Sequence, residues 1–171
     1  MAGRGPLRHT GSRSSSRGWR REEDCDMADD ATRLARENVD AFNAGDWQRF
    51  KATLAADSVY SELATQRSVR GPDEIAAISQ GWRSAFPDAK GTVTNAIGAG
   101  DQATIEITWE GTQTGDLVGP MGTIPATGRR VKVAAVQVVR AAGGKLTETR
   151  HYFDLMGMLQ QLGAMPAAAQ R

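Results

Sequence analysis

The chain has 171 residues, 40% hydrophobic and 24% charged, with a net charge of +1. These values suit one globular domain and supply no overall field to recruit nucleic acid or an anionic membrane surface. One cysteine (Cys25) and two histidines (His9 and His151) exclude an intrachain disulfide and a closed Cys/His zinc site, and no apolar run approaches the roughly 20 residues of a membrane span.

The first 21 residues, "MAGRGPLRHTGSRSSSRGWRR", hold six arginines and no acid. Such a segment has little to bury and cannot offset its ordering entropy, so residues 1–27 read as a disordered basic leader. Arg20-Arg21 has the look of a twin-arginine pair, but "EEDCDMADD" follows where an export signal needs an apolar stretch. Met27 offers a second start, which makes the leader dispensable to the functional unit. Residues 28–165 read as one domain and 166–171 as a flexible tail.

From Asp30 to Ala44, Ala31, Leu34, Ala35 and Phe42 fall at helical spacing. Gly45 ends this helix and Asp46 caps a second over Asp46–Asp57, with Trp47, Phe50 and Leu54 as its stripe. "SVYSELAT" predicts a short strand. "RGPDEIAAISQGWRSAFPD" predicts a helix opened by Pro72, with Ile75, Ile78 and Trp82 on one face. After Pro87 the period becomes two. "KGTVTNAIGAGD" and "QATIEITWEGTQTG" predict paired strands, and Ile105, Ile107 and Trp109 share a face in the second. "DLVGPMGTIPATG" reads as a glycine- and proline-rich loop, without the Lys-Ser or Lys-Thr of a phosphate loop. "RRVKVAAVQVVRAAGG" and "KLTETRHYFD" predict a hairpin around Gly143-Gly144, and "LMGMLQQLG" a last helix. Helices followed by an antiparallel meander predict an α+β fold with helices on one face of a curved sheet.

The segments "WEGTQTG", "PATGRRV", "GGKLTE" and "YFDLMGMLQQLG", with "AADSVYSE", "RGPDEI" and "WRSAFPD" before them in the same order, resemble the SnoaL-like polyketide cyclases of the nuclear transport factor 2-like superfamily. The resemblance spans about residues 30–163. It implies a cone-shaped curved antiparallel sheet with the N-terminal helices packed on its concave face around an apolar pocket. It implies a homodimer acting on a small apolar molecule, with no metal, no cofactor, no nucleic acid and no membrane involved. It also implies acid/base chemistry: closure of a polyketide ester ring by intramolecular aldol condensation, with an Asp at the end of the last strand moving the proton. Asp154 stands at that position. The pocket histidine that the resemblance places on a preceding strand has no counterpart in the matching strands. The single cysteine fits a reducing compartment, and a cytoplasmic location is expected.

Strand alternation puts Asp154, Tyr152, Arg150 and Glu148 on one face and His151, Phe153 and Thr149 on the other. The first face carries a carboxylate, a phenol and a guanidinium, and is expected to line the pocket, with Asp154 as acid/base, Tyr152 as donor to a developing enolate and Arg150 beside them. A carboxylate in an apolar pocket has its pKa raised, which suits proton abstraction. Asp154 also precedes the last helix at the N-cap position, where it serves structure alone. Glu62 is either a pocket acid or an exposed strand charge. Trp82 and Trp109 are core or flat substrate walls. Gln137, among Val133, Ala135 and Val139, needs a ligand or a dimer contact. Met158 is core or pocket cover. Three other readings stay open: a non-catalytic ligand-binding module, an epoxide hydrolase built on two carboxylates and an arginine, and a ketosteroid-isomerase-like proton transfer.

Overall fold

The structure, a computed structural model, describes residues 19–120 and 122–165, with side chains from residue 30. The expectations for residues 1–18 and 166–171 lie outside the described residues. Helix α1 runs from Trp19 to Ala44, so it begins before the Asp30 start that periodicity predicts and takes in the last part of the leader. Ala31, Leu34, Ala35, Val39 and Phe42 are buried at three- to four-residue spacing and set this helix across the sheet. Gly45, at φ 67°, turns the chain out of the helix. Asp46 then accepts from the Arg49 N–H at 3.0 Å and caps α2, Trp47–Ala52.

Helix α2 is shorter than its sequence predicts. Leu54–Glu62 is strand β1, because the backbone there finds partners on the last strand: Leu146 N–H donates to Thr53 O at 2.8 Å. Tertiary pairing overrides local helix preference. Strand β2, Arg67–Arg70, folds back on β1 and was not foreseen. Helix α3, Pro72–Ala85, opens with Pro72 in its first turn, as read. Strands β3 (Lys90–Ala99) and β4 (Gln102–Thr112) form the expected pair. The glycine-rich loop contains a small hairpin of its own, β5 (Leu117–Gly119) with β6 (Gly122–Ile124). Strands β7 (Arg130–Ala142) and β8 (Lys145–Phe153) form the hairpin around Gly143-Gly144, and α4, Leu155–Leu162, closes the fold.

The main sheet has the order β2-β1-β8-β7-β4-β3. All neighbours are antiparallel except β1 and β8, which run parallel. The architecture is the α+β arrangement expected, with helices laid on one face of a curved sheet. Ile105, Ile107, Ala135, Val139 and Leu146 point from that face into the core under α1.

One irregularity decides which side chains face inward. Next to the turn, Ala142 pairs with Lys145 and Ala141 with Leu146, but beyond it Arg140 pairs with Glu148. Thr147 is the extra residue of a β-bulge. A one-residue shift moves every later side chain of a strand to the opposite face. Gln137 is therefore opposite His151 instead of Arg150, and Ala135 is opposite Phe153. The sequence expectation that Arg150, Tyr152 and Asp154 form the inner face is corrected here. Thr149, His151 and Phe153 are the inner residues of β8.

Candidate functional site

Between the concave face of the sheet and helices α1–α4 lies a cavity of about 120 Å³. Helix α1 supplies Asn38, Val39 and Phe42, and α3 supplies Ile75, Ser79 and Trp82. Strand β4 contributes Trp109, β7 contributes Val133 and Gln137, β8 contributes Thr149, His151 and Phe153, and α4 contributes Met158. The wall is overwhelmingly apolar and aromatic. Trp82 stacks on Phe86 with ring centroids 6.2 Å apart and meets Phe153 edge-on at 5.9 Å. Trp109 meets Phe42 edge-on at 5.0 Å. Such pairs hold flat walls in fixed orientation.

The polar groups are few and linked. His151 Nδ1 lies 2.8 Å from the Tyr60 hydroxyl, which in turn donates to Glu62 Oε2 at 3.4 Å. Glu62 is 1% exposed, yet it carries a full set of donors. Arg67 reaches both carboxylate oxygens at 3.1 Å, Thr65 donates at 2.6 Å, and Trp82 Nε1–H donates at 3.0 Å. A buried carboxylate persists only with such compensation. Glu62 thus stands behind the cavity wall and anchors both Tyr60 and Trp82. It also borders a second cavity, of about 230 Å³, under the β5–β6 hairpin, and Trp82 and Met158 separate the two spaces.

At the other end of this chain of contacts, His151 Nε2 is buried and has no hydrogen-bond partner among the described residues. Burial lowers the imidazole pKa to about 4, against the opposing pull of the Glu62 charge. The ring is therefore neutral at neutral pH and can carry its proton on either nitrogen. When Tyr60 donates to Glu62, Nδ1–H donates to the Tyr60 oxygen and Nε2 carries a free lone pair. When Tyr60 donates to Nδ1, Nε2 presents a proton. Burial first, and the Glu62 charge second, hold the Tyr60 pKa well above its ordinary value, so the phenol keeps its proton throughout.

The residues that the sequence singled out divide into two groups. Glu62, Trp82, Trp109, Gln137 and Met158 are brought together in or directly behind the cavity wall. Asp154, Tyr152 and Arg150 are not. Asp154 is exposed and accepts from the Gly157 N–H at 2.8 Å as the N-cap of α4. Tyr152 is 42% exposed. Arg150 runs along the outer face of the sheet, 3.5 Å from Glu148. The two carboxylates and arginine of an epoxide-hydrolase reading are therefore not assembled around one space. His151 is the residue that sequence reasoning placed on the wrong side. A signal for it was present. Leu146 and Phe153 are the apolar ends of β8, and they lie an odd number of positions apart. Both face inward only if the strand contains an extra residue, which turns His151 inward with them.

Comparison with known proteins places this fold in a family. The model of the SnoaL-like polyketide cyclases matches residues 32–162. Aklanonic acid methyl ester cyclase DnrD of Streptomyces peucetius is 28% identical over 137 residues, which cover 76% of this chain and 88% of that protein. Aklanonic acid methyl ester cyclase DauD of Streptomyces sp. (strain C5) is 29% identical over 139 residues, 76% of this chain and 80% of the relative. Among solved structures, TsrD of Streptomyces laurentii superposes with a TM-score of 0.69 at 27% identity, covering 80% of this chain and 97% of that one. With a family match running from helix α1 to the end of α4, the chain belongs to the SnoaL-like polyketide cyclases.

Proposed function

We propose that the protein is a cofactor-independent acid/base enzyme that cyclises a neutral, apolar polyketide ester by intramolecular aldol addition, with His151 as the group that moves the proton. The observation that carries this reading is the buried, unpartnered Nε2 of His151 in an otherwise apolar chamber. The cyclases DnrD and DauD, named for an aklanonic acid methyl ester, support the substrate class.

The proposed steps are these. Nε2 takes a proton from carbon, the electron pair passes to the adjacent carbonyl oxygen as an enolate, and the enolate carbon attacks a second carbonyl of the same molecule. The new alkoxide recovers the proton from Nε2–H, so that atoms and charge balance. Tyr60 and Glu62 hold the ring and can exchange hydrogen bonds while Nε2 changes from acceptor to donor. A neutral imidazole with a lowered pKa is a weak base. That restricts the substrate to carbon acids strengthened by two flanking carbonyl groups, as a polyketide ester offers. The largely apolar wall also disfavours water, which would compete with ring closure.

Homodimer formation and a cytoplasmic site of action belong to the same proposal; the outer sheet face, with half-buried Val136 and Val138 beside exposed Tyr152, is the surface that favours pairing. Incubation with aklanonic acid methyl ester tests the activity. A product of unchanged mass and altered retention is expected from the wild type, and at least a hundred-fold less from His151→Gln, in the range of lost acid/base catalysis. Equal product from both proteins removes His151 from the mechanism.

A further inference from the structure

We propose that Trp109 is the carbonyl-recognition residue of the chamber, its indole N–H donating to a ketone or ester oxygen of a ligand that His151 Nε2 meets at the same time. The proposal deepens the reading above but has its own footing. Trp109 Nε1 is buried and, like His151 Nε2, has no partner among the described residues. An indole N–H can only donate, so it asks for a lone pair, and a buried donor left without one is costly. Trp82, by contrast, spends its N–H on Glu62.

The orientation of the indole is built in. Gly91 on β3 lies opposite Trp109, and a Cβ there would meet Cζ3, Cη2 and Cε3 of the ring at 2.6, 2.7 and 3.0 Å. Only glycine allows the benzo edge to nest on β3. The opposite edge, which carries Nε1, is thereby turned toward the middle of the sheet. Phe42 holds the ring edge-on, and the His151 ring is 6.5 Å away, centroid to centroid. The two orphaned atoms thus belong to neighbouring rings in one cavity. That spacing suits a small functional group bridging a donor and a proton acceptor.

Charge narrows the class of ligand. Among the described residues, the cavity wall contains no lysine or arginine. Its one carboxylate, Glu110, is engaged with Arg130 at 3.0 Å and Lys132 at 2.9 Å. A carboxylate head group would find no cation there and would be stripped of water. The oxygen that Trp109 meets is therefore that of a neutral ketone or ester.

The test uses the full chain labelled with ¹⁵N, in which each of the four tryptophans gives an indole N–H signal. Trp109→Phe identifies the signal of Trp109 by its loss. The probes are 2-acetylnaphthalene and 2-isopropenylnaphthalene, of nearly equal shape, which differ by oxygen against CH₂. The ketone is expected to move the Trp109 indole proton downfield and the hydrocarbon to leave it upfield of that position. Trp109→Phe is expected to weaken ketone binding about ten-fold, in the range of one buried hydrogen bond, and hydrocarbon binding hardly at all. An unmoved Trp109 signal with ketone bound, an equal effect of the substitution on both probes, or no ketone binding by the wild type each overturns the proposal. His151→Gln separates the two assignments. A variant that keeps the ketone-induced shift and also keeps turnover sinks the role of His151 and leaves that of Trp109 standing.

Discussion

His151 carries an ionisable ring into an apolar wall, and this has consequences for acid stability as well as for rate. Its folded pKa, about 4, lies below the ordinary value of 6.5. Between those values the unfolded chain binds a proton that the folded chain does not, so stability falls as pH drops from about 6.5 to about 4. Below that the loss levels off, at up to about 3 kcal/mol. Urea denaturation across this window is expected to show that slope in the wild type and a flatter one in His151→Gln. In the rate profile, the acid limb of kcat/KM is expected near pH 4, not near 6.5, because the neutral ring is the active form. Glu62 is a different case. Glu62→Gln leaves Arg67 without its charged partner in a buried setting and loosens Trp82 and Tyr60 together. A loss of about 3 kcal/mol in denaturant unfolding is expected.

At the scale of elements, the bulge in β8 and the cap of α4 set which side chains line the cavity and which lie outside it. Asp154 holds the first turn of α4 by a single hydrogen bond to Gly157 N–H. Asp154→Ala is expected to cost about 1 kcal/mol in thermal unfolding while turnover stays within two- to three-fold of the wild type. A loss comparable to that of His151→Gln would restore Asp154 to the chemistry. Gly91→Ala belongs to the same scale. Its new Cβ forces Trp109 off β3 and into the chamber, with an expected destabilisation of about 2 kcal/mol and loss of ketone binding. Much of this was legible in the residues. Asp46 and Pro72 marked helix starts, Gly143-Gly144 marked the last hairpin, and the alternation of β4 and β7 put Trp109 and Gln137 inside. The bulge was not legible from alternation. Counting from the hairpin turn pairs Gln137 with Arg150, and only the extra residue at Thr147 pairs it with His151. One unpaired threonine therefore decided which side chains of β8 face the cavity.

For the whole molecule, the helices and the sheet were visible in the change of hydrophobic period at Pro87, whereas the parallel contact of β1 with β8 was not. It joins residues far apart in the chain, and local sequence carries no record of it. The chamber it helps to close predicts selectivity. A ligand that binds only the folded state raises the melting temperature with concentration. Neutral 2-acetylnaphthalene is expected to do so, and 2-naphthoate, of similar size but anionic, is not. Equal stabilisation by both would contradict the absence of a cation on the cavity wall.

The position of β8 between β1 and β7 has a consequence for biosynthesis. Strand β1 precedes β8 in the chain, so the β1–β2 ribbon can pack on α3 but lacks its second strand partner until β8 has been made. Tyr60 and Glu62 ride on that ribbon, and His151 arrives with the late strand. A nascent chain halted before Lys145 therefore lacks any working centre, and its open strand edges invite capture by chaperones or by other unfinished chains. His151 therefore meets Tyr60 and Glu62 only when β8 pairs between β1 and β7, so the contacts at the cavity form in the same event that closes the sheet.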